Sequence, residues 1–323
     1  MNKRQILGVI CGLSLFGSSV QAAPPTDIND AIDKIQGDSV LLSRWLSNEF
    51  ARAIPFNSTS GNVVPSQFKL FGIGVGVSAV VSGTKMDVDA LHALGTDVID
   101  TAQIDTFSRL PIPMILGHAK LGLPFGLDAG VRVGGIPSTD SDEGDTHVEV
   151  SNTVVGLDVR KKLIEEGAVK PFGLTVGLNY TRARGHISAT TPYRPTGSSD
   201  VTFSADSVGT ARSDWDTQSL GVQAILNKKI LILNPYIGAS VNKNFGDVDT
   251  TITNTGTVTY TPTPATLPFA TAGSASEKAD NVDVRGLLGV ELGFLPFTKL
   301  TIQGELANQN KLAGSIGLRV QFR

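Results

Sequence analysis

The sequence predicts an all-β protein, an antiparallel transmembrane β-barrel of about ten strands with a short helical segment at its N-terminus. Three observations predict it: apolar and polar residues alternate from residue 66 onward, short and long connections alternate, and aromatic residues end the apolar rows. The chain ends KLAGSIGLRVQFR, where Ile316, Leu318, Val320 and Phe322 share one face. Such a terminal strand can pair with the first strand, which leaves no open edge in lipid.

The first 22 residues, 1–22, have the pattern of a secretory signal peptide. Lys3 and Arg4 give a positive start, residues 6–16 form an apolar run, and GSSVQAA supplies small residues before a cleavage site. The run is too short to anchor the protein in a bilayer. We therefore expect export through the inner membrane and loss of the only cysteine, Cys11, so that neither disulfides nor thiol chemistry is available.

The charge balance argues against nucleic acid as a partner. Without Lys3 and Arg4, the 27 basic residues fall to 25 against 30 acidic ones, a net charge of −5 with histidine neutral. A protein that binds a phosphate backbone needs an excess of basic residues. About 300 mature residues are enough for one large domain or two small ones.

Residues 23–65 are predicted to form a helical plug or a periplasmic segment before the barrel of 66–323. The stretches TDINDAIDKI and DSVLLSRWLSNEFARAI repeat apolar residues at helical spacing, which predicts two short helices, the second ending at Pro55. Their apolar stripes must be buried against the barrel mouth, inside the lumen or on the membrane surface.

After the helices, the hydrophobic period is two. Each apolar row has roughly the 9 to 11 residues with which a tilted strand crosses a bilayer. The stretches TTITNTGTVTYTP and SDVTFSADS raise the number to 12–14 if they form further membrane hairpins. The ten predicted strands lie near 66–82, 112–121, 125–136, 147–163, 171–187, 213–227, 230–246, 280–294, 298–307 and 311–323.

The connections between these strands alternate in length. Long loops are predicted near 83–111, 137–146, 188–212 and 247–279, whereas the intervening turns are as short as LPF or NKK. Outer-membrane barrels have short periplasmic turns and long outer loops. With the first strand running outward, aromatic residues end the lipid-facing rows in two girdles, which are Phe71, Phe125, Phe172, Phe294 and Phe322 on the periplasmic side and Tyr180 and Phe245 on the outer side.

Residues 66–323 resemble bacterial outer-membrane β-barrel proteins in this pattern. The terminal strand resembles their C-terminal recognition signal, although Phe322 is followed by Arg323. The resemblance implies a place in the bacterial outer membrane, contact with outer-membrane lipid and lipopolysaccharide, and handling by periplasmic chaperones and the barrel assembly machinery. Long-chain fatty-acid channels are similar in having a barrel behind a helical hatch, but they use more strands.

No constellation in the sequence indicates an enzyme, a cofactor or a metal site. His186 and Ser188 have the spacing that outer-membrane lipid A deacylases use, but no acid accompanies them, and we interpret them as loop residues. Asp140, Asp142 and Asp145 do not fit a calcium-binding loop, because Ser151 stands where the bidentate Glu belongs.

The charges inside the predicted barrel are the candidate functional residues. They oppose the apolar rows and must be paired or hydrated. The leading hypothesis is a narrow channel or transporter for a small solute. The alternatives are a structural or adhesion barrel that displays its loops and a lipid-modifying enzyme. The predicted lumen-lining residues are Lys120, Asp128, Arg132, Asp158, Arg160, Arg285, Glu291, Glu305 and Arg319.

Overall fold

The structure is a computed structural model of the whole chain. It describes residues 27–61, 64–65, 68, 70–97, 109–167, 170–193, 203–260, 265–295 and 297–322. The predicted signal peptide, 1–22, lies outside the described residues.

The described chain consists of one long helix, one short helix and eleven strands, with a 3₁₀ turn at Pro124–Gly126. The helices are α1, Ile28–Thr59, and α2, Val88–His92. The strands are β1 Ile73–Lys85, β2 Arg109–Gly122, β3 Leu127–Glu143, β4 Thr146–Ile164, β5 Gly173–Tyr193, β6 Phe203–Asn227, β7 Leu233–Tyr260, β8 Ala265–Lys278, β9 Val282–Leu295, β10 Thr298–Ala307 and β11 Lys311–Phe322.

All the strands belong to one antiparallel sheet that closes into a ring. The terminal strand β11 pairs with β1 from Ile73↔Phe322 to Gly83↔Leu312, and β6 pairs with β7. Strand β9 pairs with the first half of β7, and β8 pairs with its second half. Strands β8 and β9 therefore occupy the same position in the ring, one above the other. Each position in the ring, whether filled by one strand or by these two, is called a stave. The described barrel therefore has ten staves, as the hydrophobic pattern predicts, and the pairing of β1 with β11 closes the sheet at the level of the apolar band.

The outer wall carries a band of exposed apolar side chains. Alternate residues of each stave point outward, and a protein in water would not leave such a continuous apolar surface uncovered. Phe71, Phe125, Phe172 and Phe322 are exposed at one end of the barrel, and the side chain of Phe294 lies outside the described part. Exposed members of the band include Ile115, Val133, Leu157, Leu178, Val222, Ile237 and Leu288.

Short connections join the strands at the end where these phenylalanines lie, which we call the lower end. At the opposite, upper end, the prediction of long loops is wrong for much of the chain. Residues 137–143 belong to β3, and residue 146 begins β4. Strand β5 continues to Tyr193, and β6 begins at Phe203. Strands β7 and β8 fill most of 247–279. The stretches TTITNTGTVTYTP and SDVTFSADS thus lengthen β7 and β6, and the alternative of 12–14 staves is wrong.

The N-terminal segment forms a single helix where two were predicted. Asp27 caps α1, because its carboxylate accepts hydrogen bonds from the backbone N–H groups of Asn29 and Asp30 at 2.8 and 2.9 Å. Pro55 does not end the helix, which continues to Thr59. Residues around Pro55 are enclosed on all sides, and a helical backbone there satisfies its own hydrogen bonds.

Helix α1 lies inside the upper part of the barrel. Its buried side chains include Leu42, Leu46, Phe50 and Ile54, and Phe50 stacks on Trp215 of β6 with ring centroids 6.1 Å apart. They join the inward residues of β4 to β8 in one apolar core. Neither of the two described helices is long and apolar enough to span a bilayer.

The backbone of α1 rests directly on the inner face of β8. Ser43 and Ser47 donate hydrogen bonds to the carbonyls of Gly273 and Ala275, at 2.9 and 3.1 Å. A Cβ atom at Gly273 would lie within the backbone of the helix, so only glycine allows this approach. Below Thr59, Gly61, Val64 and Phe68 are buried in the lumen, and the described residues of 27–68 are called the internal segment.

Candidate functional site in the barrel lumen

At the height of the outer apolar band, the lumen contains the charged residues that lie on the inward-facing side of the strands. Eight of the nine predicted side chains belong to residues that are at most 7% exposed, and Asp158 is nearly as enclosed. They form a charged layer below the end of α1. Burial of ionised groups is costly unless each finds a partner, so their contacts decide what the lumen can do.

Arg160 is the centre of one buried ion-pair cluster. Its guanidinium lies 2.6 Å from the carboxylate of Asp128 and 3.1 Å from that of Asp158. It also donates a hydrogen bond to the carbonyl of Val64 in the internal segment. This arginine therefore joins strands β3 and β4 to the chain that fills the lumen.

Two further predicted pairs and one that the prediction missed complete the layer. Arg319 lies 2.7 Å from Glu291, and Arg285 lies 3.1 Å from Glu305. Lys311 lies 2.6 Å from Asp283, and both are fully buried. The alternation of β9 and β11 turns these two residues inward, and that signal could have found them.

Glycines in the inward rows make room for the long side chains. A Cβ atom at Gly130 would lie 2.5 Å from Asp158, and one at Gly177 would lie 2.7 Å from Arg160. A Cβ at Gly156 would meet the guanidinium of Arg132. The glycine content therefore provides the space in which the charged layer and the internal segment fit together.

The internal segment is held in the lumen by its backbone. The N–H of Gly61 donates to Glu305 at 2.8 Å, and the carbonyl of Thr59 accepts from Arg132 at 3.4 Å. Lower down, the ring of Phe68 lies 5.3 Å from the guanidinium of Arg319. The charged layer thus binds the polypeptide that passes through it, as well as pairing with itself.

Two buried cations form no direct ion pair within the described chain. The amino group of Lys120 makes no hydrogen bond within the described residues. Arg132 bonds Thr181 and the carbonyl of Thr59, and no carboxylate of the described chain lies within ion-pair distance of it. Both side chains face the lumen and share the negative charge of Asp158 with Arg160, and the described layer has one more cationic side chain than carboxylates.

A small polar cavity lies beside Arg132. It has a volume of about 20 Å³ and lies against the end of α1. Asn179 and Asn242 line it, and the side-chain oxygen of each has no hydrogen-bond partner among the described groups. One water needs roughly 10–15 Å³, so the cavity is large enough for water.

The other residues considered in the sequence lie away from the lumen. His186 and Ser188 point outward from β5 above the apolar band, and His186 lies 3.2 Å from Glu149, an acid that the sequence did not reveal. Asp142 accepts a 2.7 Å hydrogen bond from His147. In the described residues, no group of three or more His, Cys, Asp or Glu side chains could hold a metal ion.

Solved structures similar to this chain are outer-membrane β-barrels of low sequence identity. The KdgM porin is 6% identical, with 77% of this chain and 99% of that chain covered and a TM-score of 0.31. The translocator domain of the autotransporter NalP from Neisseria meningitidis is 10% identical, with 80% and 90% covered and a TM-score of 0.31. Ail, the attachment invasion locus protein of Yersinia pestis, is 10% identical, with 79% and 100% covered and a TM-score of 0.26.

No curated protein matches the sequence. The model of a family described as "Family of unknown function (DUF6588)" matches residues 78–322, which is most of the chain and nearly the whole barrel. With its closed antiparallel sheet and outward apolar band, the protein is an outer-membrane β-barrel in architecture. The chain belongs to the DUF6588 family.

Proposed function

We propose that this protein transports a small anionic solute and is closed at rest by its internal segment. The observation that carries the proposal is the pair of lumen-facing cations, Lys120 and Arg132, which form no direct ion pair in the described chain and share Asp158 with Arg160. A buried charge without a counterion is costly, and an anion entering the lumen would relieve that cost.

The shape of the lumen supports a removable plug. A barrel of about this size can be filled by side chains alone. Here glycines thin the inner wall, and the ring of Phe68 in the internal segment occupies the space beside Gly74. If that segment moves, the space becomes a passage lined by the charged layer.

The proposed setting is the outer membrane, reached by export through the inner membrane. The upper end would face outward, next to lipopolysaccharide, and the lower end would face the periplasm. Insertion would use periplasmic chaperones and the barrel assembly machinery. Membrane fractionation and heat-dependent gel mobility test this setting, and recovery of the protein in the soluble fraction would contradict it.

The transport proposal is tested by conductance of the full-length protein in planar bilayers. We expect rare openings with anion selectivity, measured as the reversal potential across a salt gradient. Lys120→Gln should lower the anion-to-cation permeability ratio. The matched control is Lys161→Gln, because Lys161 is exposed on the outer wall and should leave the ratio unchanged.

The role of the plug is tested by locking it. Asn57 of α1 accepts a 2.7 Å hydrogen bond from Ser82 of β1, so Asn57→Cys with Ser82→Cys places two thiols in contact. Oxidation should abolish the openings, and reduction should restore them. Openings that persist in the oxidised protein, verified by thiol labelling, would show that the solute path does not require movement of the internal segment.

A second candidate function is a non-transporting barrel that displays its upper end. Strands β5 to β8 extend far beyond the apolar band and form a large upper sheet lined by α1. The test compares the wild type with Phe56→Ala, a variant with a loosened plug. If both proteins insert correctly and neither conducts, this candidate is favoured.

A further inference from the structure

The wall of the barrel has a seam between β2 and β3. Their pairing runs from Gly122↔Asp128 only to Ile115↔Gly135. Above that level, the remaining residues of β2 pair with β1 alone, and those of β3 pair with β4 alone. Within the described chain, the facing edges of β2 and β3 are therefore unpaired above Ile115 and Gly135.

Two prolines in β2 explain why the seam opens there. Pro111 and Pro113 lie in the part of β2 that pairs only with β1. Because proline lacks an N–H group, it is tolerated in a sheet where that position points away from the paired neighbour. The continuous pairing with β1 therefore turns both missing donors toward β3, where they cannot support a ladder.

An apolar cavity of about 40 Å³ lies behind the seam. Leu110 to Pro113 and Ile136 line it from the seam, and Phe50 and Ile54 of α1 and Trp215 of β6 line it from within. One water needs roughly 10–15 Å³, but an apolar cavity does not hold water well. The space suits a slim aliphatic group better than a ring system.

One polar group points into this apolar space. Asn152 lines the cavity and is 2% exposed. Its side-chain oxygen accepts a 3.1 Å hydrogen bond from the indole N–H of Trp215, which fixes the orientation of the amide. The amide nitrogen of Asn152 has no hydrogen-bond partner among the described residues. A buried donor without a partner costs free energy that an acceptor on a ligand would recover.

We propose that this cavity binds the end of an aliphatic chain that carries a hydrogen-bond acceptor and enters through the seam from the membrane. The seam begins at Ile115, a member of the outward apolar band that is 64% exposed, so its lower edge meets lipid. The acceptor would bond the amide nitrogen of Asn152, and the chain would contact Phe50 and Ile54. The site does not depend on whether the lumen conducts.

Trp215 allows the site to be monitored directly. The chain has two tryptophans, so Trp45→Phe leaves Trp215 as the only one. Full-length Trp45→Phe protein in saturated phosphatidylcholine vesicles is titrated with 2-bromododecanol, whose bromine quenches tryptophan on contact. We expect saturable quenching. Ile136→Phe in the same background fills the cavity and should abolish the saturable component, with heat-dependent gel mobility as the check on folding.

The role of Asn152 is tested with a probe that lacks the acceptor. The Trp45→Phe protein should bind 2-bromododecanol roughly tenfold more tightly than 2-bromododecane, because the two differ only in the hydroxyl that accepts the hydrogen bond. Asn152→Leu should remove that preference while keeping the shape. Equal quenching in the open and filled proteins, or no quenching at all, would overturn the proposal, as would a preference that survives in Asn152→Leu.

The source of the chain is assigned by a second set of vesicles. A phosphatidylcholine brominated in mid-chain should quench Trp215 if an acyl chain of a membrane lipid occupies the site, and Ile136→Phe should relieve that quenching. Quenching by the free bromo-alcohol alone would support the site and identify a free amphiphile as its ligand.

Discussion

The lower lumen and the upper interior of this barrel have opposite chemistry although the same inward-facing rows line both. Below Thr59 the rows carry ion pairs such as Arg160 with Asp128, and above it they carry aliphatic and aromatic side chains such as Ile252 and Trp215. The difference follows from what fills each region. Helix α1 satisfies its own backbone hydrogen bonds, so apolar walls can enclose it.

The described residues below the helix bond to the barrel wall instead. Gly61 and Val64 use Glu305 and Arg160 to satisfy their backbone N–H and C=O groups. Polar walls are therefore required around Gly61 and Val64 and unnecessary around the helix. The internal segment therefore sets the polarity of the wall that surrounds it.

The largest expected effect comes from breaking an ion pair in the lower lumen. Glu291→Leu leaves Arg319 buried without its carboxylate, so the free energy of unfolding should fall by about 4 kcal/mol. Urea unfolding in vesicles, followed by gel mobility, measures the change. Adding Arg319→Met should restore most of the loss, and a double variant as unstable as the single one would contradict the charge argument.

A smaller effect is expected from the apolar upper interior. Leu46→Ala creates a cavity beside α1, where Leu46 is 2% exposed, and should lower the free energy of unfolding by about 3 kcal/mol. Gln36→Ala, on the exposed face of the same helix, is the control and should have little effect. If both changes were equally mild in the same urea experiment, α1 would not be packed as described.

Removal of the helix cap should have a weaker and more local effect. Asp27→Ala deletes the two hydrogen bonds to the first turn of α1 and should cost about 1 kcal/mol. Hydrogen exchange should show faster opening of the first turn of α1, with exchange in the lower lumen unchanged. Faster exchange throughout the barrel would mean that the two regions unfold as one unit.

The smallest effect concerns a pH-dependent contact at the upper end. The hydrogen bond to Asp142 raises the pKa of His147 above its usual range. Because the pKa is raised in the folded protein, the contact is complete below the ordinary histidine pKa and is lost as pH rises through the raised value. An NMR titration should show this shift, and Asp142→Asn should remove most of it. Neither change should alter the lower lumen.

The sequence was sufficient for the parts of the fold that depend on local alternation. Apolar rows such as Val282, Val284 and Leu288 show which side of a strand faces lipid. The opposite side faces the interior, which assigns Arg285 and Glu291 to the lumen without knowledge of their partners. The terminal strand ending at Phe322 likewise predicts the closure with β1.

The upper strands were harder to predict. Thr and Ser alternate with small apolar residues in 188–212 and 247–279, and this composition is also typical of loops. What makes these residues strands is the cover that α1 gives to inward side chains such as Ile252 and Val258. The sequence does not show that a helix more than 150 residues earlier in the chain supplies this cover.

The sequence by itself determined which side of each stave faces lipid, because side chains alternate strictly along an extended strand. Only the tertiary structure decided which charges pair, since Arg160 meets Asp128 and Val64 through contacts between distant parts of the chain. It also decided that Pro55 lies within a continuous helix and that β2 and β3 part at a seam, because burial and pairing with neighbouring strands override local preference.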